Sequence, residues 1–231
     1  GLGDVYKRQG ISASDSTAYL SYAISISTLI VAVLGPVLGT VADGKNRKKP
    51  LFALFMMTGV LGCAALALPK SAILFLAVFV ITKVGFSGSL IFYDSMLVDV
   101  TTDERMDDVS SQGYAWGYIG SCVPFIASLA LIFGADHIGI SGTAATAGAF
   151  IINALWWAVV TIPLLKNYKQ NYYVKAKTNG VKETIKRLET VCGEIRNDKK
   201  VFLFLVAFFF YIDGVYTVSY THLRAHETDQ Y

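Results

Sequence analysis

The chain has 231 residues, of which 54% are hydrophobic and only 16% charged, and its formal net charge is +3. A soluble domain carries about 25% charged residues, so this composition and the mean hydropathy of +0.49 favour a membrane protein. The positive residues cluster in loops beside apolar stretches, which is not the signature of nucleic-acid binding, and no nucleic-acid partner is expected.

Long uncharged runs indicate six membrane-spanning helices, because about 20 apolar residues cross a bilayer core. In chain order they cover about residues 17–42, 51–68, 71–93, 112–133 and 141–165, and a sixth begins at Val201 and is broken by Asp213. Backbone groups in lipid must form their hydrogen bonds within their own helix. We therefore predict an all-α fold, a polytopic membrane helix bundle.

The turn between the first two spans, residues 39–51, reads GTVADGKNRKKPL. Gly39 is expected to let helices approach closely, and Asp43 to end the first span. The turn resembles the loop between the second and third helices of major facilitator transporters, whose pattern is G-x-L-a-D-r-x-G-r-k. The matching residues are Gly39, Asp43, Arg47 and Lys48, and the resemblance implies that they form the cytoplasmic gate. Asn46 replaces the second glycine and should preserve the turn, because Asn tolerates a left-handed backbone. The alternative is that any short cytoplasmic loop collects Lys and Arg.

Loop charges predict which side each loop occupies. Residues 45–49, 100–111 and 166–200 hold nearly every loop Lys and Arg, whereas the other side has Lys70 alone and none in residues 134–142. Positive loops stay in the cytoplasm, so the first set is predicted to be cytoplasmic in a multi-pass protein of the cell (inner) membrane.

The long charged segment contains one amphipathic pattern. Val181, Ile185, Leu188, Val191 and Ile195 share one helix face, and charged residues cover the rest. This pattern predicts a helix on the inner membrane surface, and a solvated linker helix is the alternative.

Ionisable residues within the spans are candidates for the solute or ion pathway. Lys83 lies in the middle of the third span, and Asp94 lies eleven residues later on the same helix face, with Ser87 between them. Each charge costs about 3 kcal/mol in a membrane unless it faces water or a partner, so this polar stripe should face a cavity. A snorkelling or purely structural Lys83 is the alternative.

Counting from the turn, the resemblance makes the observed spans helices two to seven of an incomplete major facilitator fold. Residues 10–166 would be the N-terminal half without its first helix, 167–200 the cytoplasmic central linker and 201–218 the start of the C-terminal half. Residues 1–9 and 219–231 are interpreted as sequencing-adapter read-through. In this fold helices four and seven line the central cavity, which would place Lys83 and Asp213 there and Asp94 nearer the cytoplasmic gate.

Residues 91–121 resemble bacterial relatives of the autophagy-linked vacuolar amino-acid effluxers. Those proteins show an aromatic pair, a polar residue, a short acidic loop and S-x-x-G-x-A-x-G-Y-x-G. The matching residues here are Phe92, Tyr93, Asp94, Ser110, Gly113, Ala115, Gly117, Tyr118 and Gly120. Small residues on a helix face permit close packing, so Gly35, Gly113, Gly117 and Gly120 are candidate contacts between moving helices, with static packing as the alternative.

These features predict part of a secondary transporter that moves a small solute, suggested by the resemblance to be amino acids, by alternating access. The chain has no G-x-x-x-x-G-K-[ST] loop, so an ion gradient, for example of protons through Asp94 or Asp213, or the solute's own gradient would supply energy. Its partners would be the solute, the coupled ion and the bilayer, with no cofactor or metal and no enzymatic activity. The alternatives are a non-transporting sensor or scaffold and, ranked last, an intramembrane enzyme.

Overall fold

The computed structural model describes residues 13–68, 71–174 and 181–228, and within them every regular element is a helix. In chain order the helices are α1 (Ala13–Ala42), α2 (Lys48–Ala65), α3 (Ala72–Ser95), α4 (Leu97–Val100), a 3₁₀ turn (Asp103–Arg105), α5 (Met106–Phe133), α6 (Gly142–Asn167), α7 (Val181–Asn197) and α8 (Lys199–Thr228). The predicted all-α membrane bundle is confirmed.

Five helices among the described residues are long and apolar enough to cross a membrane, namely Ala18–Ala42, Lys48–Ala65, Ala72–Ser95, Asp103–Phe133 and Gly142–Asn167. They coincide with the first five predicted spans, although the second begins within the basic run, at Lys48, and the fourth begins within the acidic loop. At the sixth position, α8 continues through Asp213 without a break. Side chains beyond Thr217 lie outside the described residues.

The chain divides into two compact units, Gly1–Lys177 and Thr178–Tyr231. The first unit has its most extensive helix contact between α2 and α3, followed by α1 with α3, α5 with α6 and α2 with α6. Its core includes Met56, Phe92 and Ala154, which are nearly inaccessible to solvent. In the second unit α7 contacts α8, and Ile185 and Val191 of the predicted apolar face are exposed.

Glycines allow α2 and α3 to approach closely. A Cβ added at Gly85 would lie 2.6 Å from the backbone nitrogen of Gly59, so the two backbones are in direct contact. A Cβ at Gly59 would meet Trp157, and one at Gly88 would meet Phe55. Such contacts between small residues are common in membrane proteins, because in lipid the hydrophobic effect does not drive helices together and close packing has to do so. It fixes α3, the helix that carries the predicted polar stripe.

Candidate functional site

A buried polar network lies at one end of the first unit. It joins three pieces of chain: the turn after α1, the end of α3 with α4, and residues 168–174 after α6, which we call the strap. The strap was assigned to the linker in the sequence analysis, but it packs into the first unit. The three pieces therefore share one end of the bundle.

Asp99 and Lys48 form an ion pair at the centre of this network. The Lys48 Nζ lies 2.8 Å from Asp99 Oδ2, and the two side chains are 5% and 0% exposed. The same Nζ donates to the Ser95 carbonyl oxygen at 2.9 Å, and the Tyr168 hydroxyl donates to Asp99 Oδ2 at 2.6 Å. A buried charge is tolerated only with such partners, so α2, α3 and the strap are held together here.

The other carboxylate oxygen of Asp99 is also fully used. Its Oδ1 accepts the backbone N–H groups of Asn171 at 2.9 Å and Tyr172 at 2.8 Å, and Asn171 Nδ2 donates to the Asp99 carbonyl oxygen at 2.8 Å. Burial alone would raise the pKa of Asp99, but the hydrogen bonds from Lys48, Tyr168 and these backbone groups outweigh it and hold the pKa below its ordinary value. Burial and the adjacent Asp99 raise the pKa of Tyr168, which stays a proton donor.

Gln170 clamps the backbone of the turn. Its Oε1 accepts the N–H groups of Arg47 at 3.0 Å and Lys48 at 3.3 Å, where α2 begins with no side-chain cap of its own. Its Nε2 donates to the carbonyl oxygens of Ala42 at 3.3 Å and Gly44 at 3.1 Å. One amide thus satisfies donors at the start of α2 and acceptors after the end of α1, two places where backbone groups lack helical partners.

Two further contacts complete the junction of strap and turn. The Val174 N–H donates to the Asp43 carbonyl oxygen at 2.8 Å, and Gly44 and Val174 form an isolated parallel bridge. The Lys45 Nζ lies 5.4 Å from the centre of the Tyr173 ring, within the range of a cation–π contact.

The structure places the predicted gate residues at different depths. Lys48 is buried in the network, whereas Asp43 and Arg47 are half-buried at its surface. Asp43 directly follows the last residue of α1, as predicted. No other atom lies within 4 Å of a Cβ added at Gly39 among the described residues, so the close helix approach expected there stays a prediction.

Asn46 adopts φ 58°, which confirms the left-handed conformation predicted for the residue that replaces the motif's second glycine. A left-handed residue reverses the chain between α1 and α2, and Asn is among the non-glycine residues that accept it most readily.

Unlike the buried network, the predicted polar stripe on α3 is partly exposed and contains no ion pair among the described residues. Lys83 and Ser87 are half-buried and Asp94 is exposed. The Lys83 Nζ lies 5.4 Å from the centre of the Phe86 ring, and no acidic partner of Lys83 is found among the described residues. Asp213 belongs to the second unit, so the predicted cavity shared by Lys83 and Asp213 stays a prediction.

The predicted glycine contacts are only partly seen within the first unit. A Cβ at Gly35 would lie 3.2 Å from Ile91 Cδ1, and one at Gly113 would lie 4.0 Å from the Tyr93 hydroxyl. Gly117 and Gly120 meet no atom within 4 Å among the described residues, so their role in packing stays a prediction. Within the part of the chain that the structure describes, no three His, Cys, Asp or Glu side chains form a cluster that could hold a metal ion.

Sequence reasoning missed Asp99 and its partners in the strap, Tyr168, Gln170 and Asn171. Asp99 stands in the apolar run MLVDV, and a lone acid there is the signal that could have suggested a buried partner. Nothing in the polar sequence of the strap distinguishes it from a solvated linker.

Comparison with known proteins shows which family the sequence resembles. The sequence matches the family described as "Vacuole effluxer Atg22 like" over residues 7–106 and 98–229. It is 47% identical over 213 residues to the uncharacterized MFS-type transporter YxiO of Bacillus subtilis (strain 168), covering 90% of this chain and 50% of that protein. The chain thus spans about half the length of this curated relative. No solved structure matches. The resemblance found in residues 39–51 and 91–121 is confirmed.

Proposed function

The chain belongs to the Atg22-like vacuole effluxer family, and we propose that it is part of a secondary transporter that moves a small solute across the membrane by alternating access. It would contribute helices two to seven of a longer protein, which we call the complete transporter. Amino acids are the proposed solutes, with coupling to protons or another ion, and the bilayer surrounds the protein.

The structural observation that carries this proposal is the buried network of Lys48, Asp99 and the strap. Alternating access requires a half of the protein to move as one body around a site. The network ties α2 and α3 to the chain after α6 through an ion pair and side-chain clamps, all satisfied within the first unit. Helices connected in this way would move together as a rigid body, because separating them would expose the buried ion pair to an environment without a partner.

Asp43 and Arg47 are proposed to act as the gate at the edge of this rigid body. Gln170 and Val174 fix the backbone of the turn, so these two half-buried side chains are held in place at its surface. There they would contact the remainder of the complete transporter in one of its two states. Asp43→Asn should slow solute flux without reducing membrane insertion, and an unchanged flux would show that Asp43 is not part of a gate.

The protein is proposed to lie in the inner membrane of the cell, with the turn after α1 on the cytoplasmic side. Lys48 is 4% exposed, so a cysteine there would resist reagents on either side, and the exposed Lys45 is the better probe. In a background without Cys63, Cys122 and Cys192, Lys45→Cys should resist a membrane-impermeant maleimide in intact cells, while His137→Cys in the opposite loop should react. The reverse pattern would invert the orientation.

Flux through the complete transporter tests the function itself. The purified protein, reconstituted in liposomes, should accumulate or exchange at least one radiolabelled amino acid, with or without a proton gradient. Liposomes without protein serve as the control for leakage. Absence of flux for all amino acids under every gradient would favour the non-transporting sensor or scaffold.

A further inference from the structure

Lys83 occupies an unusual position for an ammonium group. It lies near the midpoint of the 24-residue helix α3, about 17 Å from either helix end. A four-carbon side chain cannot bring its charge from there to the membrane surface. Lys83 must therefore face water, protein or a ligand within the membrane.

An aromatic ring, and not an acid, holds the Lys83 side chain. The Phe86 ring lies beneath its Nζ at 5.4 Å and meets Trp157 edge-on, with ring centres 5.7 Å apart. A cation over a ring face is attracted by the ring quadrupole, and its N–H donors remain free to point away from the ring. Asp94, eleven residues along the helix, is about 16 Å away and out of reach.

Ser87, one turn from Lys83 on the same face, has an unused hydroxyl. On α3, the hydroxyls of Thr82, Ser89 and Ser95 each donate to a carbonyl three or four residues earlier. Ser87 makes no such bond within the described part of the chain. Two donors without acceptors, one of them charged, thus lie about 6 Å apart along one helix face.

We propose that Lys83 and Ser87 bind the carboxylate group of the transported solute. This inference rests on the proposed transport function and adds the two residues that would recognise one group of the solute. A carboxylate has lone pairs for both donors, so it satisfies the ammonium and the hydroxyl together. A cationic group in this position would be repelled by Lys83, and an uncharged group would leave the ammonium uncompensated in a medium of low dielectric constant.

The test compares each amino acid with its carboxamide on the complete transporter. L-leucine and L-leucinamide are one such pair, and ligand-induced thermal stabilisation of the detergent-purified protein is read beside liposome flux. The acid should bind about 10- to 100-fold more tightly than the amide, the range expected for a charge-assisted hydrogen bond. Lys83→Met should remove this preference, Lys83→Arg should retain part of it, and Ser87→Ala should weaken acid binding several-fold.

Ser89→Ala provides the matched control. This change also removes a serine hydroxyl, two residues from Ser87. Because the Ser89 hydroxyl already donates to the Phe86 carbonyl oxygen at 2.7 Å, acid binding should not change. Equal binding of acid and amide by the wild type, or unchanged acid binding in Lys83→Met, would overturn the site while flux upholds the transporter. Equal loss of acid and amide flux in Lys83→Met, with lower stability before ligand is added, would assign Lys83 to a protein carboxylate instead. Absence of all wild-type flux would overturn the transport function and this site with it.

Discussion

Lys48 and Lys83 carry the same charge in adjacent packed helices, yet their surroundings are opposite. Lys48 is buried against Asp99 and a carbonyl oxygen, and Asp99 accepts further hydrogen bonds from Tyr168 and the strap backbone. Lys83 is half-buried over an aromatic ring, with no acid among the described residues. The buried pair is the pattern of a charge that stabilises the fold, because the chain itself supplies its partners. The lysine over the ring is the basis of the proposed carboxylate site.

The largest effect should come from breaking the scaffold pair. Asp99→Asn removes the charge opposite Lys48 and turns an amide N–H₂ towards two donors, so the complete transporter should lose about 3–5 kcal/mol of unfolding free energy. Unfolding in mixed micelles, followed by circular dichroism, measures this loss. Asp94→Asn, at an exposed position five residues earlier, is the control and should change stability little. Equal effects of the two changes would remove the distinction between scaffold and stripe.

A double variant sharpens this result. Lys48→Met with Asp99→Asn removes both charges and keeps an amide oxygen for the Asn171 and Tyr172 N–H groups. It should therefore cost less than Asp99→Asn alone, because no buried charge is left unpaired. Additive losses in the same unfolding experiment would show that the two residues do not depend on each other.

The packed face of α3 should be the next most sensitive. Gly85→Ala places a methyl group 2.6 Å from the backbone of Gly59, which cannot move aside, and should cost about 1–3 kcal/mol. Gly117→Ala, whose methyl group would meet no described atom within 4 Å, is the matched control. A large loss at Gly117 in the complete transporter would instead reveal the helix contact predicted for it.

Removing the clamp should have a smaller effect. Gln170→Ala deletes hydrogen bonds to Arg47, Lys48, Ala42 and Gly44, but these backbone groups are only part-buried and water can replace the amide. We expect a loss of about 1 kcal/mol and faster hydrogen exchange in the turn. Unchanged exchange there would show that the strap does not order the turn.

The pH dependence of stability should be the smallest effect near neutrality. The folded-state pKa of Asp99 is lowered by its hydrogen bonds, so its stabilisation is fully present above the unfolded pKa, near 3.9, and is lost as pH falls through the folded value. The melting temperatures of the wild-type and Asp99→Asn proteins should therefore differ by a constant amount from pH 8 to pH 5 and converge only in strong acid. Convergence near pH 6 would contradict a lowered pKa.

The sequence predicted the helices well because membrane spans are long apolar runs whose lengths are fixed by the bilayer. It also predicted the left-handed Asn46, because motif and backbone preference agree there. It did not predict the α2–α3 crossing at Gly59 and Gly85, since glycines elsewhere have equal local signals and only the fold selects the contact. The strap was missed for a similar reason. Gln170 binds backbone groups over 120 residues earlier, and the local spacing of side chains in the sequence cannot predict so distant a contact.

Thermal stability measured with and without ligand separates the scaffold from the binding site most directly. The wild-type, Asp99→Asn and Lys83→Met forms of the complete transporter would be melted with and without an amino acid that the wild type transports. Asp99→Asn should melt at a lower temperature and keep its ligand-induced increase, whereas Lys83→Met should melt like the wild type without ligand and lose the increase. Loss of ligand response in Asp99→Asn with a full response in Lys83→Met would contradict the assignment of the two lysines.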